Sequence, residues 1–273
     1  MPIRQRFEYQ GVEGARVGRL NRGINTTFVV YRLGETVIDT GPSNQWSSVR
    51  RFLDSRPPRQ LLLTHHHEDH SGNAARIAQR FGLTPLAPEL GRAKLASGYR
   101  TPPIQRFIWG RPYPVQTEPL PERIRLISGD TLTAVATPGH AKDLTCFHWP
   151  ERGWLFSGDL YISKSLRYLR ADEELQLLMH SIHKVLQLEF EVVFCPHRGV
   201  VEQGHQALSE KLENLKQLCH QARHLRQQGL DEQEMVRRLL GPEDWLAKVS
   251  FYNISKGNLV RQAARVSLGG LGG

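Results

Sequence analysis

The stretch LLLTHHHEDHSG, residues 61–72, constrains this chain more than any other. An aliphatic run leads straight into four histidines, a glutamate and an aspartate held in six positions. A short continuous apolar run is what a strand buried on both faces requires. Behind it stands a segment rich in groups that bind protons and metal ions. An expression tag is normally terminal, and this stretch is internal. A merely solvated loop makes no demand on the rest of the chain. A metal site does, because an ion needs ligands converging from several segments.

Such partners are present. Of the 12 histidines, five fall where apolar strands run into loops: His65, His67, His70, His140 and His197. Asp69 and Asp159 do the same. Strand ends are where rigid scaffolds present chemistry. The other histidines, His66, His148, His180, His183, His205, His220 and His224, read as surface or packing residues. In H-x-H the outer side chains can converge on one ion while the middle one turns away. His65 and His67 therefore pair, with His66 and Glu68 as spacers, while Asp69 and His70 face a second ion. A catalytic zinc commonly takes three protein ligands and leaves a position for water. Five histidines and two aspartates exceed two such sets by one, unless a carboxylate bridges. Two divalent metal ions are the expected cofactors. Nitrogen and oxygen ligands without cysteine suit Zn2+, and also Fe or Mn.

The surrounding pattern is layered α/β. Apolar runs at 27–31 and 36–39 flank a Gly34-Glu35 turn and predict a hairpin. Ser43 is the expected cap of a helix through Leu53, and Asn73–Phe81 predicts a helix stopped by Gly82. ELGRAKLASG is another helix, and TPPIQRFIWGRPYP, residues 101–114, is too rich in proline for regular structure and reads as a loop or lid. Strand pairs follow around Gly129-Asp130 and around Pro150–Gly153, then a helix with Asp172 as N-cap. From about residue 203 the pattern is helical, with Leu208, Leu212, Leu215, Leu218, Cys219, Ala222 and Leu225 in one stripe. The expected division is 1–202 for the catalytic domain and 203–273 for a C-terminal helical extension, with GGLGG frayed.

Composition sets limits around this. No apolar run approaches the ~18 residues of a membrane span, and the N-terminal MPIRQRFEYQ has no apolar signal region. A cytoplasmic location is expected. Cys146, Cys195 and Cys219 stand apart in no CxxC arrangement and read as small buried residues. The formal charge of +9 is spread among acids, so it reads as a solvated surface rather than a nucleic-acid footprint.

THHHEDHSG resembles the T-H-x-H-x-D-H signature of the metallo-β-lactamase-fold hydrolases. VIDTG (37–41), TPGH (137–140), FSGD (156–159) and CPHRG (195–199) resemble that family's other motifs, in its order. The resemblance implies an αββα sandwich, two mixed sheets face to face with helices outside and the site at one edge. By resemblance, His65, His67 and His140 hold one metal, Asp69, His70 and His197 the other, and Asp159 bridges, while Asp39 orients the metal loop from behind. Pro196 departs from the glycine of many relatives, which bears on loop geometry and not on the ligands. The C-terminal helices resemble the glyoxalase II-like branch.

The reaction expected is hydrolysis by a metal-bridging hydroxide on a small-molecule thioester, lactone or ester. Two alternatives stand behind it: a phosphodiesterase or ribonuclease of the same fold, and a non-catalytic regulatory member. Asp69 is a candidate proton carrier besides its ligand role. Tyr161 is a candidate donor to a substrate oxygen, with packing against the sheet as its competing role. Lys164 and Arg167 are candidates for an acidic substrate tail, and Tyr252 and Lys256 for the pocket wall.

Overall fold

The computed structural model describes residues 3–18, 26–99, 101 and 103–270, with Ile104 as backbone alone; residues 271–273 of the expected frayed end lie outside them. One sheet contains β1 (Gln5–Tyr9), β2 (Val12–Val17), β3 (Phe28–Leu33), β4 (Thr36–Ile38), β5 (Gln60–Leu62), β6 (Leu86–Ala87) and β7 (Glu118–Pro119), adjacent in chain order. The hairpin predicted around Gly34-Glu35 is β3–β4, and from β4 onward the pairing is parallel. The second sheet contains β8 (Arg123–Arg125), β9 (Thr131–Ala136), β10 (Thr145–Trp149) and β11 (Trp154–Phe156). The short β12 (Leu169–Arg170) leaves it, and β13 (Val192–Cys195) and β14 (Gly199–Val201) complete it in the order β14-β13-β11-β10-β9-β8. β12 pairs instead with β15 (Ile254–Ser255).

The period-2 alternation of strand side chains explains why two sheets stack with helices outside. In β3, Val29, Tyr31 and Leu33 point into the space between the sheets, and Phe28 and Val30 point out. In the second sheet Phe147, Trp149, Trp154, Phe156, Val192 and Phe194 face the first, while Cys146, Leu155, Val193 and Cys195 face away. The outer face of the first sheet is covered by α1 (Trp46–Asp54), α2 (Ala74–Phe81) and α3 (Glu89–Ser97). After α4 (Pro103–Trp109), the outer face of the second is covered by α5 (Leu175–Val185), α6 (Gly204–Gln227) and, beyond α7 (Glu232–Leu240) and α8 (Trp245–Val249), α9 (Lys256–Ala263). The stripe read from Leu208 to Ala222 is the buried face of α6, with Leu218 at its margin. Asp231 caps α7 by accepting from the Glu234 N–H. The three cysteines are buried and free.

Three expectations fail locally. Residues 103–109 are helical rather than irregular. Pro103 stands in the first turn, where a missing N–H costs nothing, and Gly110 ends the helix at φ +89°. Ser43 caps nothing: it opens a 3-10 turn, Ser43–Gln45, and α1 begins at Trp46. Asp172 is not the cap of α5, which starts at Leu175 behind Glu174, because its carboxylate is bound to Arg170. Among the described residues no helix is long and apolar enough to cross a membrane.

Candidate metal centre

The loops after β5, β9, β11 and β13 meet at one edge of the sandwich. β11 and β13 run parallel and β9 and β11 each run antiparallel to β10, so three of these ends coincide by topology. Cross-sheet backbone bonds bring the first sheet to the same edge: Thr145 N–H to Thr64 O at 2.9 Å and Val29 N–H to Pro196 O at 2.7 Å. Pro196 thus supplies the carbonyl that ties the His197 loop to β3.

Two groups of side chains converge there. One is His65, His67 and His140; the other is Asp69, His70, Asp159 and His197, and within each group a ligand-type atom from every residue lies within 4.8 Å of the others. His67 Nδ1 is 3.1 Å from His65 Nε2 and 3.0 Å from His140 Nε2. Asp159 stands between the groups. Its Oδ2 is 3.1 Å from His140 Nε2, and its Oδ1 is 3.2 Å from His70 Nε2 and 3.3 Å from His197 Nε2. Asp69 Oδ2 is 3.5 Å from His197 Nε2.

The far sides of the rings are committed elsewhere, which fixes the tautomers. His70 Nδ1 donates to Asp39 Oδ2 at 2.7 Å, His140 Nδ1 to Glu173 Oε1 at 2.6 Å, and His197 Nδ1 to Thr27 O at 3.1 Å. Thr64 Oγ1 donates to Asp39 Oδ2 and accepts from His65 Nδ1 at 3.0 Å. The opposite nitrogens of His70, His140 and His197 are left facing the centre. Asp39 also accepts from the Thr64 N–H at 2.8 Å and adopts φ +55°, a left-handed conformation aspartate tolerates. Ser71 Oγ donates back to His66 O and His67 O, closing the loop on itself. A Cβ on Gly72 would lie 2.4 Å from Glu68 O and 2.6 Å from Ser43 N, so only glycine fits this crossing.

The electrostatics fit a cation. Burial, reinforced by the neighbouring histidines, pushes His65 and His67 well below the ordinary imidazole range, so both are neutral, the form in which imidazole binds metal. Burial also works against charge on His70, His140 and His197, but carboxylates outweigh it. Asp159 leads for His70 and His197, and Glu173 then Asp159 raise His140 to about 9. Burial raises Asp159, yet His197, His70 and His140 together hold it well below the usual carboxylate range. The donor set itself points inward: His70 Nε2 and Asp159 Oδ1 are buried and lie 3.2 Å apart without the geometry of a hydrogen bond. Buried polar atoms are rarely left so, and a divalent ion bound between these residues would satisfy both. The residues fit the two-ion group that the ligand count predicts.

The spacers behave as spacers. His66 turns away to Asp143, whose Oδ2 accepts its N–H at 2.8 Å and whose Oδ1 lies 2.7 Å from its Nδ1. Glu68 is buried outside both groups, and burial followed by the Asp69 charge lifts it to about 7. The other named candidates lie apart. Tyr161 packs in the core beneath α5 and α6, and the charges bearing on its phenol are Cys195, Lys164, Arg198 and Glu210, none of them in either group. Lys164 pairs with Glu210, Arg167 lines a surface cavity beside it, Tyr252 is exposed, and Lys256 is buried with Nζ donating to Pro242 O. Sequence reading missed Glu173, Thr64 and Asp143, which act through ligands or spacers and carry no spacing of their own. It also missed Lys211, buried on α6 with Nζ donating at 2.7 Å to the carbonyl of Leu160, the residue after Asp159.

Comparison with known proteins bears on this geometry. The sequence profile described as the Metallo-beta-lactamase superfamily matches residues 20–197. An atrochrysone carboxyl ACP thioesterase of Aspergillus fumigatus is 26% identical over 207 residues, covering 74% of this chain and 59% of the relative. A hydroxyacylglutathione hydrolase of Bartonella henselae is 27% identical over 139 residues, covering 50% of this chain and 47% of the relative. The chain thus spans about half the length of these curated relatives. In fold, a metallo-beta-lactamase family protein of Thermus thermophilus superposes with a TM-score of 0.69 at 19% identity, covering 94% of each chain.

Proposed function

The chain belongs to the metallo-β-lactamase superfamily, and from that premise we propose that it is a metal-dependent hydrolase of small thioesters. The observation that carries this reading is the pair of side-chain groups joined through Asp159 at one sheet edge. The thioester preference is supported by relatives named for thioesterase and hydroxyacylglutathione hydrolase activity.

In this reading His65, His67 and His140 hold one divalent ion, Asp69, His70 and His197 hold the second, and Asp159 serves both. Bound there, the ions would supply a hydroxide at neutral pH and polarise the carbonyl under attack. The protein contributes orientation and proton handling. Asp39, Glu173 and Thr27 accept from the outer ring nitrogens and so turn the inner ones toward the centre. Asp69, bordering solvent more than His70 does, is the group placed to pass a proton to the leaving thiolate. Tyr161, which lines a surface cavity with Lys164, Arg167 and Arg198, is assigned no role in this reading.

The test is a panel of thioesters, oxygen esters and lactones presented to zinc-loaded protein, with His67→Ala as control. Thioester turnover lost in the variant is the expected result. Turnover confined to esters or lactones would overturn the thioester assignment, and turnover unaffected by the variant would overturn the metal centre as its origin. Metal analysis of protein purified without added metal decides among Zn, Fe and Mn.

A further inference from the structure

Lys164, expected to meet an acidic substrate, is already neutralised by Glu210. A different pair of cations borders the metal loop. Between the end of α3 and α4 lies a cavity of about 810 Å3 whose walls include Ser97, Tyr99, Thr101, Arg106 and Arg111 and, among the described residues, no aspartate or glutamate. Arg106 and Arg111 are exposed, and among the described residues neither forms an ion pair. By contrast Arg56, Arg80 and Arg92, also reaching the surface, each hold a carboxylate. Thr101 is 9% exposed and its Oγ1 has no hydrogen-bond partner. Two open guanidinium forks on one cavity form a receptor for a multidentate acceptor.

The cavity is joined to the metal loop through Tyr99. Its hydroxyl donates to His66 O at 2.6 Å, and its ring stands edge-on to His66 at 5.2 Å. The far wall is anchored as well: Asn44 Nδ2 donates to Ile108 O at 2.8 Å, within α4. Arg106 therefore projects from a helix tied to the loop that precedes α1, and Arg111 follows just past the end of that helix.

We propose that Arg106 and Arg111 bind an anionic group, carboxylate or phosphate, on the thiol portion of the substrate whose acyl carbon lies at the metal centre. The inference rests on the thioester reading and specifies the substrate class. It explains how a centre that only recognises an acyl carbonyl selects among thioesters.

The test compares three substrates carrying one acyl group: the coenzyme A thioester with its phosphates, the glutathione thioester with its carboxylates, and the neutral N-acetylcysteamine thioester. In wild type, kcat/KM for at least one anionic thioester should exceed that for the neutral one, and the ratio should fall as salt rises. In Arg106→Gln/Arg111→Gln the same ratio should drop about tenfold, mainly through KM. The arm that drops identifies phosphate or carboxylate. A ratio unchanged by the double substitution overturns the proposal. Calorimetric binding of S-alkyl coenzyme A and S-alkyl glutathione, which cannot be hydrolysed, decides the matter separately from catalysis. Binding weakened in the double variant supports the anion site even if no thioester turns over, and binding equal to wild type overturns it.

Discussion

Glu173 shows what a single side chain outside the ligand set contributes at the residue scale. Its carboxylate lies 2.6 Å from His140 Nδ1, and its other oxygen accepts from the Arg170 N–H. Glu173→Gln keeps the size and removes the charge that orients and enriches the imidazole. Metal affinity is expected to fall by about 10- to 100-fold, read by competition with a chelating dye; unchanged affinity would show that His140 is oriented by other means. Lys211 makes a prediction about pH. Burial lowers its amine from 10.5 to about 8, against the pull of Glu173, Cys195 and Asp159. Between those values the unfolded chain holds a proton the folded chain lacks. Stability therefore climbs as pH rises through about 8 to 10.5, and the buried cation is a cost below that window. Lys211→Met removes the titration, so wild type should gain on the variant by on the order of 3 kcal/mol from about pH 7 to about pH 10.5 in urea unfolding. A difference that stays flat with pH would show the amine to be solvated.

At the scale of elements, the metal loop is held by close backbone crossings as much as by side chains. Gly72→Ala places a methyl 2.4 Å from Glu68 O and within contact of Gly41 O. Overpacking of this kind costs about 1–3 kcal/mol, and here the strain falls on the segment carrying four candidate ligands. The variant should lose stability to urea and lose metal together, and a variant that unfolds earlier yet keeps wild-type metal affinity would separate the two. Elements were legible where one periodicity ran uninterrupted: β3, β5 and the buried stripe of α6 match their patterns. They were illegible where a cap or breaker had a competing use. Pro103 opens α4 instead of preventing it, and Asp172 serves Arg170 instead of α5. Local propensity describes what a residue tolerates, and a tertiary partner chooses among those options.

At the scale of the molecule, the C-terminal helices are integral to the core. Ala207, Leu208, Leu212, Leu215, Cys219, Leu259 and Ala263 share one buried cluster with Leu155, Val193 and Cys195 of the second sheet. Ending the chain at residue 202 would uncover that face, at about 1.5–3 kcal/mol for each large aliphatic exposed. The truncated protein is expected to lack a cooperative thermal transition by circular dichroism; a sharp transition would mark 1–202 as an independent domain. Ion binding couples the same edge to global stability. With free metal at about a thousand times Kd the native state gains about 4 kcal/mol, so chelation should lower Tm by roughly 10 °C in calorimetry. What the sequence determined by itself was the chemistry at each strand end, because ligand identity is a property of the residue and H-x-H-x-D-H carries its own local geometry. The continuous apolar run before the metal loop likewise marked a strand covered on both faces, whereas the stacking of two sheets was what the family resemblance implied. Only the tertiary structure decided which groups stand behind the ligands and which cations are free to meet a substrate. Glu173 and Thr64 bond ligand rings, Lys211 bonds the backbone beside Asp159, Lys164 is neutralised by Glu210, and Arg106 and Arg111 remain open, because those outcomes depend on distances between segments far apart in the chain.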